Sequence, residues 1–172
     1  MSLAQSMLAE FEAQAPITRK FLERLPEDKL TWKPHEKSMS AGQLALHLAN
    51  VPGGIVQLVR QTGTSVPKFT TPQPASVQEV LAAFDRSVAA VREVLPQYDD
   101  ASMQQTWTLE QEGKTLISSP RGEFLRNIML NHWYQHRGQF GVYLRLLNVA
   151  VPSSYGPSAD EAPAFMQQAR SA

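Results

Sequence analysis

The sequence predicts an all-α protein, a bundle of four long helices with a short β-hairpin or extended loop before the last one. Apolar residues recur every three or four positions in four stretches, and joints rich in proline and glycine separate those stretches. With 172 residues, of which 42% are hydrophobic and 19% charged, the chain has the size of one globular domain, expected to span residues 1–172.

Each helix has its own start or stop signal. The first is expected from Ser2 to Leu25, although Pro16 predicts a kink or a later start. The second follows Ser40 and Gln43, which have the spacing of a capping box.

Further signals mark the second half of the bundle. Ser76 and Glu79 form another capping box before the third helix. A hairpin or extended loop is expected from Thr106 to Ser118, because apolar and polar residues alternate around a turn-like glycine. The last helix should begin near Pro120, capped by Ser119.

The last helix carries more apolar surface than one seam of a bundle needs. A second apolar row contains Trp133 and Phe140 beside the main stripe. The helix is therefore either deeply buried at the centre or partly exposed as a dimer interface, and the extra aromatic residues favour a homodimer.

Composition excludes several classes of protein. The 16 basic and 16 acidic residues balance, which argues against nucleic acid and against a polybasic membrane anchor as partners. No apolar run is long enough for a transmembrane helix, and no signal peptide is apparent. The absence of cysteine excludes disulfides and cysteine ligands or nucleophiles, and it fits a cytoplasmic location.

Three of the four histidines are predicted to face the interior. His132 and His136 are four residues apart, one helical turn along the same face, and His47 lies at the edge of the apolar stripe of the second helix. Such a cluster is either a shared metal site or a hydrogen-bonded polar group in the core. Three neutral histidines suit zinc or nickel, and three protein ligands leave positions open for water or substrate. His35, in a polar loop, is expected to be exposed.

The other polar residues near the histidines have two alternative roles. Gln139 and Asn50 either orient a ligand or pack against neighbouring backbone groups. No carboxylate is placed as a general base, which weakens the interpretation as a hydrolase, because activating water requires a group that accepts its proton. A structural site would need a fourth protein ligand, for which His35, Asp160 and Glu161 are candidates.

Four stretches of this sequence resemble the DinB-like family of metal-dependent enzymes. They are Leu30-Thr-Trp-Lys-Pro34, Ser40-Ala-Gly-Gln-Leu-Ala-Leu-His47, Asn131-His-Trp-Tyr-Gln-His-Arg-Gly-Gln139 and Tyr155-Gly-Pro-Ser-Ala-Asp-Glu161. The resemblance implies a four-helix bundle of up-down-down-up topology, often dimeric. It also implies a divalent metal held by His47, His132 and His136.

The resemblance further implies a class of chemistry. Characterised relatives include transferases and isomerases that use external low-molecular-weight thiols such as bacillithiol or mycothiol, with a metal that activates the thiol. Together with the histidine spacing, the resemblance implies a mononuclear metal-dependent enzyme with a three-histidine site, a thiol-dependent S-transferase or a hydrolase acting on a small molecule. The alternative is a non-catalytic helical bundle that binds a metal or a small molecule.

Overall fold

The structure is a computed structural model that describes residues 1–65, 70–163 and 166. Most of the described chain is helical. The α-helices are α1 (Leu3–Glu23), α2 (Ala41–Leu58), α3 (Val77–Val94), α4 (Asp100–Gln104), α5 (Arg121–Phe124) and α6 (His132–Leu146), and a π-helical segment (Leu125–Asn131) joins α5 to α6. The strands are β1 (Thr64–Ser65), β2 (Thr106–Gln111) and β3 (Lys114–Pro120).

Local sequence signals explain where α1 and α2 begin and end. The Ser40 hydroxyl accepts from the Gln43 backbone N–H at 3.1 Å, and the Gln43 side chain accepts from the Ser40 N–H at 2.9 Å, which confirms the predicted capping box. Helix α1 continues through Pro16 without the later start considered above. Helix α2 likewise continues through Pro52 before it ends at Leu58.

The hairpin between α4 and α5 is confirmed. Strands β2 and β3 pair antiparallel, and Glu112 and Gly113 between them have φ of 50° and 76°. Two consecutive left-handed residues are typical of the type I′ turn, whose twist matches that of the paired strands. The short strand β1 pairs parallel with β2 and makes the sheet three-stranded. Ser119 lies in β3 and makes no cap for the helix that begins at Arg121.

The relative directions of the helices follow from contacts between them. Arg92 in α3 donates to Glu12 in α1 at 2.7 and 2.8 Å, and Arg19, later in α1, pairs with Asp85, earlier in α3. Helices α1 and α3 are therefore antiparallel.

Helix α2 runs antiparallel to α6. The Trp133 indole donates to the Leu48 carbonyl at 2.9 Å, and the Tyr143 hydroxyl donates to the carbonyl of Met39, just before α2, at 3.2 Å. Helix α2 also packs closely on α3, where the Gly53 N–H donates to the Ser87 hydroxyl at 2.7 Å.

Trp133 is at the centre of the hydrophobic core. Its ring stacks on Phe11 with centroids 5.1 Å apart and lies 6.4 Å from Phe84, so it joins α6 to α1 and α3. Trp133 and Phe140 have no exposed surface. The two aromatic residues that favoured a dimer interface are therefore part of the core of the chain itself.

The prediction of an all-α four-helix bundle holds only in its mostly helical character. The predicted hairpin is extended by the short strand β1 to a three-stranded sheet, and the described chain also contains the short helix α4; the sequence pattern predicted neither β1 nor α4. The last long helix begins as α5 and passes through the π-helical segment, which the sequence pattern did not reveal.

Candidate metal centre

Two helices bring three histidines together. Helix α2 carries His47, and α6 carries His132 as its first residue and His136 one turn later. The π-helical segment ends here, and its last bond of π type runs from the His132 N–H to the Asn127 carbonyl, five residues earlier. The antiparallel packing of α2 and α6 turns His47 toward the pair.

The three imidazoles meet through their Nε2 atoms. His132 Nε2 lies 3.3 Å from His47 Nε2 and 3.1 Å from His136 Nε2. The three rings are nearly perpendicular to one another. His136 is only 9% exposed, whereas His47 and His132 are half-buried. The predicted convergence of these three side chains is thus present in the structure.

A hydrogen bond of His136 indicates which of its ring nitrogens carries the proton. Its Nδ1 lies 2.9 Å from the Gln139 side-chain oxygen, which can only accept, so Nδ1 carries the proton. In a neutral ring Nε2 then has a lone pair and no proton. His132 Nε2 carries at most one proton, which it can donate toward one neighbour at a time. Hydrogen bonds inside the cluster therefore pair two of the three Nε2 atoms and leave the third without a partner there.

A cation fits this donor set. Imidazole nitrogens bind zinc at about 2.0–2.1 Å, which places two ligands of a tetrahedral ion about 3.4 Å apart. The two printed Nε2 separations, 3.1 and 3.3 Å, are close to that value. His47, His132 and His136 could thus hold one metal ion, with Gln139 orienting His136 from behind.

Burial favours the neutral, metal-binding form of these rings. Burial first, and then the nearby His136 and His132, lowers the pKa of His47 from 6.5 to about 4. Burial, followed by His136, also lowers the pKa of His132. Both rings are therefore neutral near pH 7, the state in which imidazole binds metals.

An open cavity lies beside the histidines. It has a volume of about 670 Å³, and His47 and His132 form part of its wall. Helix α2 supplies much of the wall through residues on a single face, including Asn50 and Leu58, and Ile128 of the π-helical segment also lines the cavity. The volume is within the usual range for small-molecule sites.

The candidates for a fourth ligand are engaged elsewhere. His35 is exposed and accepts from the Lys37 backbone N–H at 3.2 Å. Asp160 pairs with Arg145, and Glu161 pairs with Arg24. Within the described residues, the group of possible metal ligands contains only the three histidines.

The neighbours of the histidines on α6 have structural contacts. The Tyr134 hydroxyl donates to Glu10 at 2.9 Å. Arg137 is 2% exposed and donates to the Gln14 side chain at 2.7 Å, while its guanidinium lies 5.3 Å from the centre of the Tyr134 ring. These contacts join α6 to α1, and neither Tyr134 nor Arg137 is among the residues that line the cavity.

Comparison with known proteins identifies the family of this chain. The sequence profile of the DinB family matches residues 1–169. The chain belongs to the DinB family. Among curated proteins, it is similar to the uncharacterized protein YrdA of Bacillus subtilis (strain 168), with 29% identity over 155 residues, which cover 90% of this chain and 89% of YrdA.

Solved structures of DinB-like proteins share the fold of this family member. One from Bacillus cereus superposes with a TM-score of 0.70 at 21% identity, covering 88% of this chain and 97% of that one. The DinB-like protein YjoA of Bacillus subtilis gives a TM-score of 0.64 at 18% identity, covering 87% and 96%. In the part that the structure describes, no helix of this DinB family chain combines the length and apolarity needed to cross a membrane.

The cavity was not predicted from the sequence, although a signal for it exists. Along α2, successive members of one row are three or four residues apart: Gln43, His47, Asn50, Gly54 and Leu58. Residues at this spacing share a helix face. A face that combines a histidine, two amides and an exposed glycine is typical of a surface that lines a site, not of a closed core.

Proposed function

We propose that this DinB family chain is a mononuclear metal-dependent enzyme that acts on a small molecule, with His47, His132 and His136 as the metal ligands. The convergence of three Nε2 atoms on the wall of an open cavity is the observation that supports it. A divalent metal bound here supplies Lewis acidity, which lowers the pKa of a thiol or water that reaches it.

The open cavity favours a catalytic site over a purely structural one. A structural zinc site is closed by four protein ligands, whereas a catalytic site keeps a position free. The described residues offer three ligands, and His47 and His132 lie on the cavity wall, where a ligand from solvent can approach. This observation disfavours the alternative of a non-catalytic bundle.

Thiol transfer fits the site better than hydrolysis. Activating water requires a group that accepts its proton, and the histidine cluster includes no carboxylate among the described residues. A thiol is more acidic than water and loses its proton more easily. We therefore propose a thiol-dependent S-transferase that uses an external low-molecular-weight thiol.

Further parts of the proposal come from the sequence and the family resemblance. We propose zinc or nickel as the metal, a homodimer as the assembly and the cytoplasm as the location. We also infer that the long helices form a four-helix bundle of up-down-down-up order within one domain. The antiparallel pairs α1 with α3 and α2 with α6 support this order.

Metal content tests the ligand assignment. Untagged protein, the variant His132→Ala and the control His35→Ala are reloaded with Zn²⁺ or Ni²⁺, desalted and measured by plasma mass spectrometry. His35 is an exposed histidine outside the cluster, so its loss should leave the metal content unchanged. We expect about one ion per chain in the native protein and in the control, and loss of the ion in His132→Ala.

Activity then tests the reaction class. The metal-loaded protein is supplied with a small thiol and an alkylating electrophile, and loss of free thiol is followed against the metal-stripped protein. Metal-dependent thiol consumption that His132→Ala lacks would support the S-transferase. Absence of bound metal after reloading, or equal rates in all samples, would overturn the proposal.

A further inference from the structure

We propose that the cavity binds an elongated, uncharged and mainly apolar molecule, whose single polar end lies at His47 and His132. This inference names a substrate class for the proposed enzyme and rests on that function only for the polar end. The apolar part of the site is argued from the cavity itself.

The cavity is long in one direction. Its wall on α2 runs from Gln43 to Leu58, which corresponds to about 22 Å at 1.5 Å per residue. His47 lies one turn from the start of this row, so most of the cavity extends beyond the histidines toward Leu58. A ligand that reaches both parts must be extended along α2.

Polar groups are concentrated at the histidine end. Gln43 and Asn50 lie within one helical turn of His47 on the cavity wall. Thr71 is at the same end, because its carbonyl accepts from the Gln43 side chain at 2.8 Å. A ligand can therefore place its hydrogen-bonding groups there, since the α2 residues that line the cavity beyond Asn50 have no polar side chain.

The far end of the cavity is apolar. Val51, Ile55 and Leu58 line it from α2, and Ile128 faces it from the π-helical segment. Within the described residues, no Lys, Arg, Asp or Glu lines this cavity. Against the described part of the wall, a charged group on the ligand tail would lose water without gaining a partner of opposite charge, whereas an alkyl or aryl group gains from burial.

Gly54 lies on the cavity wall, between Asn50 and Leu58 along α2. A Cβ atom at Gly54 would meet nothing within 4 Å, since this glycine is exposed on the cavity wall. Gly53 differs, because its Cβ would lie 2.6 Å from the Ser87 Cα atom. A large side chain at position 54 should therefore enter the cavity without disturbing the packing of α2 on α3.

The first test uses metal-free protein and the neutral apolar dye Nile red, so that it does not depend on the metal. Native protein should raise the dye's fluorescence with saturation. Gly54→Leu should weaken binding about tenfold or more, because leucine fills the apolar part of the cavity. The matched control is Gly138→Leu, since Gly138 is also a helical glycine with nothing within 4 Å but lies outside the cavity wall. Leu58→Gln, at the far end, provides a second variant and should also weaken binding.

The second test uses zinc-loaded protein and three hydroxamates measured by calorimetry. Octanohydroxamic acid carries a metal-binding head and an apolar tail, acetohydroxamic acid lacks the tail, and suberic acid monohydroxamate ends in a carboxylate. We expect the octanoyl compound to bind at least about tenfold more tightly than either of the others.

The outcomes separate this inference from the proposed function. Failure to bind zinc would refute the proposed function, and the dye result would still decide the nature of the cavity. No saturable dye binding, or equal weakening by Gly54→Leu and Gly138→Leu, would overturn the apolar site. Equal affinity for the carboxylate compound would overturn the requirement for an uncharged tail. A dimer by light scattering that Gly54→Leu dissociates, without dye binding, would instead assign this face to a second copy of the chain and overturn the inference.

Discussion

The side chain of Gln139 is expected to control metal affinity without contributing much to stability. Its oxygen lies 2.9 Å from His136 Nδ1, on the side of the ring opposite Nε2. By accepting the Nδ1 proton it keeps a lone pair on Nε2 and holds the ring in place. The hydrogen bond strengthens when a cation draws charge from the imidazole, so its loss costs more in the metal-bound state than in the free protein.

The size of the effect follows from the strength of such a bond. Loss of a partner behind a ligating histidine lowers metal affinity by about 10- to 100-fold, which corresponds to about 1.4–2.7 kcal/mol. We therefore expect Gln139→Ala to weaken Zn²⁺ binding by this factor. Because Gln139 is exposed, the free energy of unfolding of the metal-free protein should change by no more than about 0.5 kcal/mol.

Competition with a zinc-binding dye measures the affinity, and urea unfolding in chelator measures the stability. Gln139→Glu should restore tight binding, since a carboxylate also accepts the Nδ1 proton. Gln135→Ala is the matched control, because Gln135 is an exposed glutamine of the same helix. Native affinity in Gln139→Ala, or equal losses in Gln139→Ala and Gln135→Ala, would refute this account of His136.

Two further predictions concern stability. Gly53→Ala should lower the free energy of unfolding by about 1–3 kcal/mol, because its Cβ would lie 2.6 Å from the Ser87 Cα. Gly54→Ala should be neutral or stabilising by up to about 1 kcal/mol, and similar losses in urea unfolding of both variants would contradict this reading. The second prediction concerns metal-free protein in chelator, whose free energy of unfolding should fall as the pH drops from 6.5 toward 4. In that range His47 of the unfolded chain takes up a proton, whereas the folded ring, with a pKa of about 4, stays neutral. His47→Gln should show a slope smaller by up to about 1.4 kcal/mol per pH unit, and equal slopes would count against the lowered pKa.

Features that depend on neighbouring residues could be predicted from the sequence. The capping box of Ser40 and Gln43 needs groups only three residues apart, and it forms as predicted. The second box forms in part: Ser76 accepts from the Glu79 N–H, but the Glu79 carboxylate accepts from Ala75 N–H. The backbone N–H that Glu79 binds is thus one residue earlier than the box predicts, because local backbone geometry, which residue spacing does not specify, decides which N–H the side chain reaches.

Features that depend on distant residues could not be predicted in this way. Strand β1 is defined by pairing Thr64 with Leu109, which is far away in sequence. Gly63 lies beyond the end of α2 with φ of 68°, and its backbone N–H donates to the Thr108 carbonyl. In both cases the partner comes from the hairpin, and no local pattern identifies it.

In the candidate site, too, some features follow from nearby residues and others only from the assembled fold. The spacing of His132 and His136 predicted a shared face, and the apolar stripe of α2 placed His47 toward the interior. The position of these rings on an open cavity depends on the gap between α2, the chain near Thr71 and Ile128, which only the assembled fold defines. The role of Gln139 behind His136 was one of two readings of its position, and the hydrogen bond favours it over packing.

The π-helical segment lets the last long helix hold an extra residue without changing which way its histidines face. A π-type turn contains one more residue than an α-helical turn for about the same rotation, so the extra residue between Leu125 and Asn131 is absorbed within the segment. If the same seven residues formed regular α-helix instead, everything beyond them would rotate by about 100° relative to α5. His132 and His136 would turn together and keep their mutual spacing, but they would no longer face His47. The three-histidine cluster therefore depends on this local winding of the helix as well as on the histidines themselves.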